Sequence, residues 1–306
     1  MSTEVLILIV THNGEDTIDN LFRSLPEAVG SIRFKTLLID NSSSDRTVCL
    51  AKRQSASVHD IISLKKNIGV AAAYNLGLKE ARARNIKWMF VLDQDSECAS
   101  SCLCIMLNAA NDLVKKYIQV GAIFPTVRSK KFPKIIHHPC KWKNSRLLPV
   151  IANGVTHAEI SVDSSITSGA LYNTEALESI SGFREEYFID FVDHECHLRM
   201  KFQGWSMWWV PEAELFHNLG CIQKMVDDRL WVEHKPFRYY YMARNMTEGY
   251  FRLGGLKSLF YFWKQTWTHA RLLRKHSSNS SQCSRYLLKG ILHALKNKNG
   301  PLSPDH

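Results

Sequence analysis

Along the first 125 or so residues, short apolar runs alternate with stretches in which apolar positions recur every three or four residues. The runs fall at 5–10, 36–39, 61–64, 88–92 and 120–124, and the helical spacings at 17–25, 45–54, 70–83 and 100–116. A strand buried on both faces reads as a continuous apolar run, and strands alternating with helices predict an α/β fold with a mainly parallel sheet flanked by helices.

Several runs stop in polar residues. Thr11-His12-Asn13 follows the first, Asp40-Asn41-Ser42-Ser43-Ser44-Asp45 the second, and Asp93-Gln94-Asp95 the fourth. Turns and helix caps account for some of these, Ser44 or Asp45 among them. Their recurrence at one edge of three strands matters more, because ligands of such sheets bind beyond the carboxyl ends of the strands. Two carboxylates delivered there offer hard oxygen ligands.

From about 128 to 163 the pattern loosens, and Pro133, Pro139 and Pro149 predict loops and short antiparallel strands. His137 and His138, adjacent on an extended segment, point opposite ways, and they read as loop or surface positions. Thr167-Ser168-Gly169-Ala170 precedes a helix over 174–180 that ends at Gly182-Phe183. Asp190-Phe191-Val192-Asp193-His194-Glu195 opens another helix, closed by Gly204, and Trp208-Trp209-Val210 predicts one more strand before Phe216-His217-Asn218.

The stretch 221–306 differs from 1–220 and reads as a separate region: aromatic, basic and helical in pattern. Leu256, Leu259, Phe260, Trp263 and Trp267 fall on one helical face, with Lys257, Lys264, Arg271 and Lys275 on its flank. That pattern suits a bilayer surface, and equally a helix packed on the main domain or on a second subunit of a homo-oligomer. The polar segment 296–306 is expected to fray.

Composition adds bounds. A chain of 306 residues with 45% hydrophobic residues fills one large domain with an appendage, or two modest ones. A net charge of +10 favours an anionic partner: nucleic acid, an acidic membrane face or a phosphorylated small molecule. No nucleic-acid recognition module accompanies the charge. Thr11-His12-Asn13-Gly14 has one glycine where a dinucleotide fingerprint needs three. The 67–77 segment lacks the Lys-Ser pair of a phosphate loop. The eight cysteines fit no zinc template and read as free thiols of an intracellular chain. No run approaches the roughly 20 apolar residues of a membrane span.

Taken in order, Ile9-Val10-Thr11-His12-Asn13, Ile39-Asp40-Asn41-Ser42-Ser43-Ser44-Asp45, Asn67-Ile68-Gly69 through Asn75-Leu76-Gly77, Asp93-Gln94-Asp95, Gly182-Phe183, Asp190 through Glu195 with Leu198-Arg199, His217-Asn218-Leu219-Gly220 and Arg238 through Asn245 resemble the family 2 glycosyltransferases of GT-A fold. Among these they are similar to the bacterial rhamnosyltransferases, over about residues 4–250. The resemblance implies an inverting, metal-dependent transferase. Asp95 and His217 would hold Mg²⁺ or Mn²⁺, with Asp93 turned to the ribose. Asp40 would take a ring nitrogen of uracil or thymine, and Thr11, Asn13 and Asn67 would line the donor pocket. Asp193 matches the general base, with Asp190 as its rival and Glu195 acceptor-facing or structural. The implied donor is dTDP-L-rhamnose, with UDP-sugars open. The implied acceptor is a lipid-linked saccharide of surface polysaccharide or O-antigen synthesis, at the cytoplasmic face of the inner membrane. A non-catalytic scaffold docked on membranes is the other reading.

Overall fold

β1 (Val5–Thr11) is buried at all seven positions, and β4 (Trp88–Asp93) at all but the last. Both lie at the centre of a ten-stranded sheet. The computed structural model describes residues 5–54, 57–116, 119–151, 158–218, 220, 222–226, 229–277 and 279–302. The strand order is β10-β12-β6-β11-β4-β1-β2-β3, where β2 is Phe34–Asp40, β3 Asp60–Ser63, β6 Val120–Ser129, β10 Ile160–Val162, β11 Ala170–Asn173 and β12 Ser206–His217. β5 (Glu97–Cys98) adds to β12 and β7 (Ile136–His137) to β6. β1, β2, β3 and β4 are parallel, as are β6 and β12, while β11 runs antiparallel between β4 and β6.

Helices cover both faces. On one face, α1 (Ile18–Val29) and α4 (Cys102–Lys116) pack Phe22, Leu25, Leu103 and Met106 against Ile7, Ile9, Phe90 and Leu92. On the other, α3 (Val70–Ala83), α5 (Thr174–Ser179) and α6 (Val192–Phe202) bury Ala73, Leu177 and Cys196 with Leu8, Val91, Phe124 and Tyr172. α3 lies close to β1 because position 77 is glycine: a Cβ there would stand 2.3 Å from Leu8 Cδ2. α2 (Thr47–Arg53) starts where Asp45 Oδ1 accepts the Thr47 amide at 3.0 Å.

The predicted strands and helices of the first 125 residues are all present. The loosened stretch holds a hairpin, β8 (Cys140–Lys143) with β9 (Arg146–Pro149), and β7, whose His137 pairs with Val127. His137 is therefore a partly buried strand residue and not a loop residue. The strand predicted around Trp208 runs on to His217, so that histidine sits at a strand's carboxyl end.

The C-terminal stretch opens with a hairpin, β13 (Ile222–Val226) and β14 (Arg229–Glu233), that helical spacing did not predict. α7 (Pro236–His276) breaks at Gly255, where φ is +67°. Its halves fold back on each other, since the rings of Tyr239 and His269 lie 5.9 Å apart. α8 (Ser280–Leu295) packs on the first half, where a Cβ on Gly290 would stand 2.4 Å from the Tyr240 carbonyl oxygen.

This hairpin divides the predicted apolar face. Leu259 is buried and Trp263 packs on the main core, whereas Leu256, Phe260 and Trp267 are each more than 60% exposed. Residues up to 302 are tied down: the Gly300 amide donates to the Glu186 carbonyl at 3.1 Å and the Leu302 amide to the Tyr241 hydroxyl at 2.7 Å. The expected fraying of 303–306 lies outside the described residues. No helix among the described residues is long and apolar enough to cross a membrane.

Candidate active site

Asp93 ends β4, Asp95 lies two residues beyond, and His217 ends β12. The sheet brings them together because β5, leaving the Asp93–Asp95 turn, pairs with the last residues of β12. His217 Nδ1 is 3.0 Å from Asp95 Oδ1, and its Nε2 is 3.8 Å from Asp93 Oδ2. One ligand atom from each residue lies within 4.8 Å of the other two. Burial alone would raise the Asp95 pKa, but the hydrogen bond and charge of His217 hold it below the usual carboxylate range. Burial opposes a charge on His217, yet Asp95 raises that imidazole. Two carboxylates and an imidazole suit Mg²⁺ or Mn²⁺.

Neighbours fix this cluster. Ser168, at the head of β11, donates a short hydrogen bond to Asp93 Oδ2, and the Tyr74 hydroxyl of α3 donates to Oδ1 at 3.3 Å. Gln94 turns the other way, its Oε1 accepting from the Thr11 hydroxyl at 2.8 Å and from the His12 amide at 2.7 Å. Lys130, at the end of β6, pairs with Glu97 at 2.7 Å, and its charge reaches Asp95 and His217.

The ends of β1 and β2 form a second wall. Asp40 is 3% exposed and accepts the Ser43 amide with both oxygens at 3.2 Å. Asn13, with φ +51°, accepts the Ser44 amide at 2.8 Å, so its side chain shapes the loop after β2. Asn67 accepts the Gly69 amide at 2.9 Å. Gly69 has φ +85°, and a Cβ there would stand 2.6 Å from the Phe188 carbonyl oxygen, which accepts the Val70 amide at 2.7 Å. The start of α3 is thereby pressed against the segment that carries the remaining carboxylates.

That segment is strained. Phe188, Asp190 and Phe191 all have φ between +63° and +66°, a region costly for residues with a side chain. The first half of α7 holds it there. Asn245 Nδ2 donates to the carbonyls of Tyr187, Ile189 and Asp190 at 2.8–2.9 Å. Arg244, 2% exposed, donates to those of Glu186 and Tyr187.

Asp190 is turned into an ion pair with Arg238. Glu195 is fully buried between Arg199 at 2.7 Å and Arg252 at 2.6 Å. Asp193, in the first turn of α6, contacts no cation within ion-pair distance among the described residues, and its Oδ1 accepts the His194 amide at 2.8 Å. A carboxylate in that turn meets the positive end of the helix dipole.

Asp93 and Asp193 act on the same buried phenols. Burial, then the charges of Asp93 and Asp193, push the Tyr74 hydroxyl well above the usual phenol range. Tyr172 is raised by burial first, and by Cys196, Asp193 and Asp93 after it. His137 lies within electrostatic reach of His194 and His217, and burial first, then their charges, lower its pKa to about 3. Ser168, Tyr74, Gln94, Lys130 and His137 were not legible as site residues. Arg238 through Asn245 was recognisable as a motif without a role.

The family model described as "Glycosyl transferase family 2" matches residues 6–180, more than half of the chain. The dTDP-rhamnosyl transferase RfbF of Shigella flexneri is 26% identical over 254 residues, covering 80% of this chain and 79% of that one. Among solved structures, S. aureus TarS 1-349 in complex with UDP-GlcNAc superposes with a TM-score of 0.56 at 14% identity, covering 97% of this chain and 84% of that one. GalNAc-T7 with UDP, GalNAc and Mn²⁺ gives 0.59 at 12% identity, covering 96% of this chain and 56% of that one. In a longer TarS structure the chain spans 40% of its neighbour. The Asp93–Asp95 edge of the sheet lies inside the matched residues, and on that ground the chain belongs to glycosyltransferase family 2, with the GT-A fold.

Proposed function

We propose that this enzyme transfers one sugar per encounter, L-rhamnose from dTDP-L-rhamnose, to a hydroxyl of a saccharide acceptor with inversion at the anomeric carbon. The observation that carries the reading is the cluster of Asp93, Asp95 and His217, and its support for Asp193 as the partner group is that Asp93 and Asp193 both raise Tyr74 and Tyr172. The name of the RfbF relative supports the donor.

In this reading Asp40 receives a ring N–H of the base, Thr11, Asn13 and Asn67 shape the nucleotide pocket, and Asp93 faces the ribose. Asp95 and His217 would hold Mg²⁺ or Mn²⁺, which when bound neutralises the charge growing on the departing diphosphate. Lys130 adds a fixed positive charge on the same side. Asp193 takes the acceptor's hydroxyl proton as the oxygen bonds to the anomeric carbon, and the bond from that carbon to the diphosphate breaks with its electron pair leaving on phosphate oxygen. Glu195, held by two arginines, positions α6.

The acceptor is a lipid-linked saccharide of surface polysaccharide synthesis, met at the cytoplasmic membrane face. The exposed Leu256, Phe260 and Trp267 beside basic residues support that place. A UDP-sugar is the second donor reading, favoured by the UDP-bound TarS and GalNAc-T7 neighbours. The test is a screen of nucleotide sugars for divalent-cation-dependent hydrolysis, followed by product analysis with candidate acceptors. The expected result is turnover of dTDP-L-rhamnose that disappears in Asp95→Ala. Binding of no nucleotide sugar at all would reduce the protein to a scaffold.

A further inference from the structure

The fold-back of α7 leaves a cavity of about 800 Å³ that the transfer step does not use. Its floor is apolar, formed by Met242 and Met246 from the first half of α7, Phe262 from the second and Leu287 from α8. Its lining is also basic, with Arg146, Lys257 and Lys264, and no carboxylate lines it among the described residues. The Arg146 guanidinium stacks on Tyr261, 4.0 Å from the ring centroid. Its Nε is buried and, among the described residues, has no hydrogen-bond partner. A second cavity, of about 720 Å³, shares Met242, His269 and Leu272 with the first and continues toward Trp231. An apolar trough of this size, with three cationic side chains in its lining, matches an amphiphile with an anionic head.

The trough connects to the transfer site through one hairpin. Ser258 of α7 donates to the Ser145 carbonyl at the β8–β9 turn at 2.8 Å, next to Arg146. At the other end of β8, burial first and then the charge of Asp193 push the Cys140 thiol up to about 11. Extended chain rises about 3.4 Å per residue, so Cys140 and Arg146 are at most roughly 20 Å apart. A short saccharide carried on an anionic head at Arg146 would reach Asp193.

We propose that this trough binds the aliphatic chain of a long-chain phosphate, its phosphate held by Arg146, Lys257 and Lys264. Resting on the transfer reading above, we assign that chain to the lipid of the acceptor.

Calorimetric titration of the full chain with dodecyl phosphate, below its micelle concentration, tests this, with dodecanol and inorganic phosphate alongside. Saturable binding of dodecyl phosphate is expected, with dodecanol much weaker and phosphate undetectable. The Lys257→Ala/Lys264→Ala pair should weaken it at least about tenfold, the scale of a lost charge-assisted contact. Met246→Trp, which fills the floor, should abolish it, with circular dichroism confirming that both variants are folded. Absence of saturable binding in the wild type, or equal binding by both variants, overturns the proposal. Adsorption to acidic vesicles without dodecyl phosphate binding also overturns it, since the helices would then act as a flat adhesive face. Hydrolysis of the sugar donor should be unchanged in both variants. If the wild type binds dodecyl phosphate but turns over no donor, the trough stands and the transfer reading falls.

Discussion

Asp190 and Arg238 form a two-pronged ion pair: Arg238 Nε lies 3.2 Å from Asp190 Oδ2, and Nη2 meets Oδ1. The Asp190 side chain is 7% exposed, so this carboxylate is occupied by a structural partner. Asp193, three residues on, has no such clasp among the described residues. The two acids should therefore fail differently. Asp193→Asn is expected to keep its thermal midpoint and lose about 10²–10⁴-fold in transfer rate, the scale of a lost general base. Asp190→Asn should lower stability by about 2–3 kcal/mol, because it removes the carboxylate charge that two nitrogens of a partly buried arginine grip. Denaturant melts and single-turnover rates on both variants separate the roles. The reverse pattern would make Asp190 the base.

Asn245 spans the strained segment with one amide and three carbonyls. Left-handed backbone at Phe188, Asp190 and Phe191 costs of order 1–3 kcal/mol per residue and persists only where its surroundings enforce it. Asn245→Ala should cost about 1–3 kcal/mol in stability. It should also lower kcat while leaving the donor's KM close to wild type, since Asp40 and Thr11 sit on other elements. A KM effect equal to the kcat effect would show that the segment binds the donor and does not merely aim Asp193.

That grip marks the limit of what the chain's pattern reveals. The central strands are legible because each is apolar on both faces, and Asp93 and Asp95 are legible because they interrupt such a run. Gly77 is legible as a small residue where helix meets sheet. Asn245 and Arg244 act on backbone carbonyls, which any sequence supplies, so neither end of the contact leaves a residue signature. Ser168 and Tyr74 reach Asp93 from remote strand and helix positions for the same reason. The helical hairpin did leave a signal, the Gly254-Gly255 pair inside an otherwise helical spacing. The stripe read after those glycines put Leu259 and Phe260 on one face, where the fold-back buries one and exposes the other.

The Asp93, Asp95 and His217 cluster makes a prediction that needs no sugar substrate. Mn²⁺ bound to the wild-type protein with dTDP should show the paramagnetic resonance signal of a protein-held ion. Asp95→Ala should abolish that signal, and His217→Ala should weaken the ion's affinity by about tenfold or more, on the scale of metal-site perturbations. Ser168→Ala should have a smaller effect in the same direction, because it frees Asp93 to rotate. Equal Mn²⁺ affinity in all four proteins would place the ion elsewhere.

His197 and His234 join His137 in setting the acid limit of the fold. His197 is fully buried, with Nε2 2.6 Å from the Tyr172 hydroxyl and Nδ1 3.1 Å from the Ser164 hydroxyl, and burial drops its pKa well below the ordinary value. Burial first, and then the charge of Arg238, bring His234 to about 4. In the unfolded chain both titrate near 6.5. Below about pH 6.5 the unfolded state therefore binds more protons than the native one, and stability falls as pH falls, by up to about 1.4 kcal/mol per pH unit for each histidine. The stabilisation is fully present above pH 6.5 and is lost progressively toward pH 4. Urea unfolding midpoints between pH 7.5 and 5.0 should drop accordingly, and His197→Gln should flatten the slope by its one-proton share. A midpoint that stays level to pH 5.0 in the wild type would mean these imidazoles are protonated in the native fold.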